Sequence, residues 1–343
     1  MHLETGRERN IAMTTICVDA MGGDREPQVV LEGIAAALDK DLELCVLVAG
    51  PESLVVPFCA DHTRARALAC TEAIEMDEHP SEAVRAKKDS TIVRGCAAVH
   101  AGEADGFFSA GSTGAVFAAA SLSVGRIKGI KRPALATALT GPEGRKTVFL
   151  DLGANADVRP EMIVQFAHMG RAYAKVVLGV QNPRVALLSN GAEETKGSEL
   201  ALSYHKALAA EPGNWFAGNA EGTDLLAGTY DVIVTDGFTG NVALKSLEGT
   251  AKYILHEVRR ATEDSKRAVA GALLLKPTLK QLAHDLSGDE LGGAILLGLK
   301  APVLIGHGDT SAEAVKNGTL ATADAMRGGL VNKIADAIAH DDD

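Results

Sequence analysis

Apolar, β-branched runs that stop abruptly in glycine and a small polar residue recur along this chain. Thr15–Val18 leads into Asp19-Ala20-Met21-Gly22-Gly23-Asp24, and Gly106–Phe108 into Ser109-Ala110-Gly111-Ser112-Thr113-Gly114. Thr147–Leu150 leads into Asp151-Leu152-Gly153-Ala154-Asn155, and Val185–Leu188 into Ser189-Asn190-Gly191. Val232–Thr235 leads into Asp236-Gly237-Phe238-Thr239-Gly240-Asn241, and Pro302–Ile305 into Gly306-His307-Gly308-Asp309-Thr310-Ser311. Runs apolar at every position are strands covered on both faces, as in parallel sheets. Between them lie helical periodicities over residues 29–38, 81–87, 91–101, 115–124, 160–178, 199–209 and 242–260, with a further strand at 42–49. Pro27 and Pro160 stand at helix starts, and Ser81 and Ser90 or Thr91 are candidate N-caps. This alternation predicts βαβ units and an α/β fold with a mostly parallel sheet. Ligands of open α/β sheets bind outside the carboxyl ends of the strands. Glycine and hydroxyl groups gathered there offer backbone N–H groups to an anion.

Composition narrows the partners. The net charge of −11 and the scarcity of aromatics, 4%, argue against nucleic acid. The five cysteines, Cys17, Cys45, Cys59, Cys70 and Cys96, form no Cys-x-x-Cys pair. They read as reduced cytosolic thiols rather than as a zinc site or a nucleophile. Residues 1–13 lack the apolar core of a secretory signal and read as a leader or disordered segment. No apolar stretch is long enough to span a bilayer. The chain is therefore expected in the cytoplasm, at most peripherally bound to membrane.

There is no Walker A loop, Gly-x-Gly-x-x-Gly, Gly-x-Ser-x-Gly or His-Glu-x-x-His, so no nucleotide, dinucleotide, serine nucleophile or metal is indicated. Lys196, in a glycine-bearing loop after a buried strand, is either an anion's charge partner or a solvated lysine. His307, in a glycine-rich strand-end loop, is either catalytic or structural. Residues 266–286 read KRAVAGALLLKPTLKQLAHDL, two amphipathic helices joined at Pro277. Such a hairpin is either a core or dimer-interface pair or a basic, leucine-tipped element that meets a bilayer.

Several longer stretches resemble one family. They include DAMGGD at 19–24, HPSEAVRAKKDST at 79–91, SAGSTGA at 109–115, RPALAT at 132–137 and DLGANAD at 151–157. AEETKGSEL at 192–200, FAGNAEGTDLL at 216–226, DVIVTDGFTGNVALKSLEG at 231–249, GGAILLG at 292–298 and HGDTS at 307–311 complete the set. Together they resemble the bacterial phosphate acyltransferases, the PlsX family. Ser112 stands where that family usually has Asn, Ile295 where it has Pro, and Ser189-Asn190 where it has Asn-Ile or Ser-Ile.

The resemblance implies an α/β/α sandwich similar to isocitrate and isopropylmalate dehydrogenases and phosphotransacetylases, here as one catalytic domain over 14–340. It implies a homodimer, peripherally bound to an anionic membrane surface, that needs no cofactor. The implied reaction moves a long-chain acyl group from acyl carrier protein to inorganic phosphate. Phosphate itself attacks the thioester, so no enzyme nucleophile is needed. On that basis Lys196 is expected to meet phosphate or the oxyanion, Asn241 to donate a hydrogen bond, and His307 to protonate the departing sulfur. Gly22, Gly23, Asp24, Ser109, Ser112, Thr113, Asn155, Asn219 and Asp236 are expected to line the phosphate and substrate site. Two other classes stay open: a sister enzyme of the same fold, either a short-chain phosphotransacetylase or a decarboxylating dehydrogenase, and a non-catalytic anion- or lipid-sensing scaffold.

Overall fold

The computed structural model describes residues 13–261, 269, 271–278 and 292–339. Its strands are β1 (Thr14–Asp19), β2 (Leu44–Gly50), β3 (Ala65–Ala69), β4 (Gly106–Ser109), β5 (Ala134–Thr140) and β6 (Lys146–Leu150). They continue with β7 (Val185–Leu188), β8 (Phe216–Ala220), β9 (Val232–Val234), β10 (Ala294–Leu297) and β11 (Val303–Ile305). The helices used below are α1 (Pro27–Lys40), α2 (Glu52–Asp61), α3 (Pro80–Ala86), α4 (Thr91–His100), α5 (Thr113–Ser123) and α6 (Pro160–Val176). After them come α7 (Glu199–Ala210), α8 (Gly237–Ala261), α9 (Ala312–Arg327) and α10 (Leu330–Ala339).

One sheet joins all these strands in the order β3-β2-β1-β4-β11-β10-β5-β6-β9-β7-β8. Ladders are parallel except β11–β10, β10–β5 and β5–β6. The half from β3 to β11 therefore runs one way, and the half from β6 to β8 runs the other. β10 and β5 form the seam between them. Register shows where the halves meet. Phe108 pairs with Leu304, Leu304 with Ile295, Ile295 with Ala136, Ala136 with Leu150 and Leu150 with Val234. Phe108 and Leu304 are next to last in their strands, and Leu150 and Val234 are last. The carboxyl ends of the two halves thus arrive from opposite sides on a single transverse line. The expected convergence of strand-end loops is met by head-to-head half-sheets rather than by one continuous parallel edge.

Period-two alternation places Ile16 and Val18 on one face and Cys17 on the other, and all three are fully buried. The first face packs on α1, α6, α7, α9 and α10, and the second on α3, α4, α5 and part of α8. Both faces are covered, which is why the strands read as unbroken apolar runs.

Several local readings change. α3 starts at Pro80 with His79 in the cap position, so Ser81 is inside the first turn. Ser90 is in the cap position of α4, but its Oγ donates to Lys87 O at 2.8 Å and leaves the helix uncapped by a side chain. α5 and α8 begin at Thr113 and Gly237, earlier than their apolar periodicity suggested. Residues 271–278 are helical, with Pro277 inside that stretch, and the hairpin expected over 266–286 lies largely outside the described residues. Most of the second arm of 266–286 and residues 1–12 of the leader lie outside the described residues.

Candidate active site

On one side of the seam, the loops after β1, β4 and β11 are laced together. Ser109 Oγ donates to Asp19 Oδ2 at 2.7 Å and accepts from Gly111 N at 3.0 Å. Met21 N donates to Asp19 Oδ1 at 3.0 Å. Gly306 N donates to Ser109 O at 2.9 Å, and Asp24 N to Gly308 O at 2.7 Å. A Cβ on Gly22 would lie 2.8 Å from Gly111 N, so only glycine allows the first two loops to touch. Burial pushes the Asp19 carboxyl up, against bonds from Ser109, Thr91, Met21 and Gly22 that pull it down. Asp19 and Ser109 are consumed by this bracing. Ser112, buried in the cap position, makes no side-chain cap bond. Thr113, the first residue of α5, is exposed at the surface the loops create.

On the other side, Asp151 is the knot. Its Oδ1 accepts from Leu135 N at 2.9 Å and Ala154 N at 3.1 Å, and its Oδ2 from Asn155 N at 2.7 Å and Nδ2 at 2.8 Å. Asn155 Nδ2 also donates to Pro133 O at 2.7 Å. Its amide hydrogens are spent on scaffold, so Asn155 shapes the loop rather than offering a donor to substrate. Burial raises the Asp151 carboxyl, and these hydrogen bonds oppose the rise. Asp236 is likewise structural: its carboxylate accepts from Thr239 N at 2.8 Å and Thr239 Oγ1 at 2.9 Å, stabilising the start of α8. Gly240 lies so close that an added Cβ would sit 1.8 Å from Asp151 O. That contact seats the first turn of α8 and brings Asn241 beside Gly153, whose own Cβ would be 3.4 Å from it. Asn241 is exposed, and its amide has no hydrogen bond among the described residues.

A cleft of about 690 Å³ opens between these two sides. Thr113, Asn241 and His307 stand at its mouth. From there it follows β5 beneath α8, with Phe117, Leu139, Leu152, Leu244, Leu247 and Ile254 among its walls. Lys245 and Glu248 also line it and pair with each other at 3.0 Å. The N-terminal turn of α5 opens onto the mouth through Thr113 and Gly114, and the free N–H groups there favour an anion. At the start of α8, Gly237 N, Thr239 N and Gly240 N are already taken by Asn155 O, Asp236 Oδ1 and Asp236 O. One end suits phosphate and the remainder suits hydrocarbon.

Of the residues expected in the site, the structure gathers Thr113, Asn241 and His307 at the cleft, over a bed made by Gly22, Gly23, Asp24, Ser109 and Ser112. Lys196 and Asn219 stand apart. Their strands, β7 and β8, close the far edge of the sheet, with β7 three strand spacings, about 14 Å, from β5. Lys196 is exposed, and its stem lies against Gly191, where a Cβ would be 2.7 Å from its Cγ. It joins no ion pair among the described residues. Buried Asn219 holds that loop by donating to Glu193 O at 2.8 Å and Gly191 O at 3.3 Å. Cys17, Cys70 and Cys96 are buried with thiols raised by desolvation, that of Cys70 to about 11, which leaves them poor nucleophiles.

Sequence reasoning missed the long wall of the cleft. Leu244, Leu247, Glu248, Ala251 and Ile254 recur at spacings of three and four along α8, a signal present in the chain. It also missed β5 and β10, the strands of the seam.

Comparison with known proteins agrees with this architecture. The phosphotransacetylase of Streptococcus pyogenes superposes with a TM-score of 0.58 at 18% identity, covering 92% of this chain and 94% of that one. A branched-chain phosphotransacylase from Enterococcus faecalis gives 0.55 at 16% identity over 92% of this chain and all (100%) of that one. At such identities the likeness establishes the fold: an α/β/α sandwich. Sequence relatives are nearer. A phosphate acyltransferase of Lacticaseibacillus casei is 44% identical over 322 residues, 94% of each chain. One of Limosilactobacillus fermentum is 50% identical over 296 residues, 84% of this chain and 85% of the other. The sequence pattern of the family described as "Fatty acid synthesis protein" matches residues 14–333. The chain is an acyltransferase and belongs to the phosphate acyltransferase family of fatty acid and phospholipid synthesis.

Proposed function

We propose that this enzyme transfers a long-chain acyl group from acyl carrier protein to inorganic phosphate by direct attack of phosphate on the thioester. The observation that carries the reading is the single cleft that joins an anion-favouring mouth to an apolar trough. Phosphate sits at the mouth, over the first turn of α5, where N–H groups and the Thr113 hydroxyl replace its water. A phosphate oxygen attacks the carbonyl carbon, and Asn241 donates to the oxygen that becomes negative. The C–S bond then breaks. The phosphopantetheine thiolate, with a thiol pKa of about 8.5, is a fair leaving group and takes its proton from His307 or water. Lys196 supplies the positive charge. Its loop must move toward β5 to do so, and Gly191 and Gly197, the latter at a φ of +119°, give the backbone that freedom.

The reaction is tested by mixing the enzyme with acyl carrier protein thioester and phosphate alone and following free thiol. Acyl phosphate should appear without added nucleotide or divalent metal. Arsenate should replace phosphate and give net thioester hydrolysis, because acyl arsenates break down in water. A requirement for nicotinamide or a divalent metal would overturn the reading.

We place this activity in the cytoplasm, in a homodimer at an anionic membrane surface. Leu273 and Leu274, 72% and 82% exposed, and neighbouring Lys276 support that placement. No helix among the described residues is long and apolar enough to cross a membrane. Leu274→Glu/Leu275→Glu is expected to lose sedimentation with anionic vesicles while keeping activity on soluble acyl carrier protein thioester. Equal sedimentation of wild type and variant would assign these leucines to another contact.

A further inference from the structure

The cleft has a depth, and one small residue stands far along it. β5 provides its floor from Leu135 to Thr140, and α8 its roof from Asn241 to Ile254. Both start at the mouth: Leu152 N donates to Leu135 O at 3.0 Å, and Asn241 packs beside Gly153. Both leave it in the same direction. Thr140 pairs with Lys146 at the start of β6, and the next residue, Gly141, is packed on Leu226 O, so Leu226 marks the far end.

Leu244, Leu247, Ala251 and Ile254 repeat at helical spacing and form one stripe of the roof. Three of them are bulky, and Ala251 is the gap. It lies ten residues beyond Asn241, about 15 Å along the helix axis. Thr140 lies five residues beyond Leu135, about 16 Å along the strand. Ala251 therefore stands at the depth where the floor ends. The chemistry of these walls favours an alkyl chain over the amide-bearing thiol arm. Lys245 and Glu248 satisfy each other, and a buried amide without partners costs several kcal/mol, about 2–7.

We propose that Ala251 sets the length of acyl chain the cleft accepts. The proposal rests on the reading that the acyl group occupies this cleft. An extended chain advances roughly 1.3 Å per carbon, so a carbonyl held at Asn241 puts about the twelfth carbon beside Ala251. A larger side chain there blocks longer donors and leaves room for shorter ones.

The test compares octanoyl and palmitoyl thioesters of acyl carrier protein with wild type, Ala251→Leu and Ala251→Trp. The measured quantity is the octanoyl-to-palmitoyl ratio of kcat/KM, which does not depend on the fraction of folded enzyme. It should rise roughly 10- to 200-fold in Ala251→Trp and by a smaller factor in Ala251→Leu. A ratio within about twofold of wild type in both variants overturns the proposal. A fall shared by both donors is such a result, and it assigns this wall to the thiol arm. Failure of wild type to form acyl phosphate from either donor would instead sink the acyl transfer reading itself, before any variant is made.

Discussion

Alanine at Asn241 or at Lys196 is expected to lower kcat/KM for acyl transfer to phosphate by roughly ten- to a thousandfold, the range for losing one preorganised charge-stabilising group. The two substitutions should act differently. Asn241 already stands at the mouth of the cleft, seated by the contact of Gly240 with Asp151 O, and its amide has no hydrogen bond among the described residues. Its loss should fall mainly on kcat, because a donor to the developing oxyanion acts in the transition state. Lys196 must first be carried to the site, so its variant should also raise the KM for phosphate. Steady-state kinetics with phosphate varied at saturating thioester separates the two. Near wild-type rates in folded Lys196→Ala would leave that lysine on the surface where the structure shows it, and the anion to the N-terminus of α5 alone.

Gly240→Ala is expected to be among the most damaging single methyl additions in the chain. The new Cβ would stand 1.8 Å from Asp151 O, a backbone atom that cannot rotate away. Either α8 lifts or the Asp151 loop shifts, and both break the knot that orders the mouth. A cost of about 3 kcal/mol or more is expected, from overpacking plus disturbed buried polar groups. Gly249→Ala is the control within the same helix. Nothing lies within 4 Å of its added Cβ, so it should stabilise by about 0.5–1 kcal/mol through helix propensity. Thermal melts of both variants, beside wild type, decide the matter. A Gly240→Ala protein that melts with wild type would mean that the first turn of α8 slides freely on Asp151.

The sequence shows where strands of the two halves end, because burial on both faces leaves an unbroken apolar run that stops at glycine. It shows Asn241, Thr113 and His307 for the same reason: they follow such runs directly. It could not show that Asn155 and Asp236 are spent on scaffold. A carboxylate or amide in a strand-end loop looks the same whether it faces backbone N–H groups or a ligand. The direction of the two halves was also hidden. Strand polarity is decided by pairing partners, and the ladders of β10 and β5 reverse the sheet three times between segments distant in sequence. The apolar trough was legible in principle, as the leucine spacing in α8, but its use as a wall depends on β5 lying opposite.

The order of strands also fixes when the site can exist. β4 ends at Ser109, yet its neighbour β11 begins only at Val303, and β10, which ties β11 to β5, begins at Ala294. As the chain leaves the ribosome, most strands of each half are made first, and β10 and β11, which join the halves, follow only after them. Closing a contact between residues almost two hundred apart is entropically slow and leaves strand edges open meanwhile. The mouth, which draws Thr113 from one half and Asn241 from the other, is therefore assembled only after β10 and β11 have emerged.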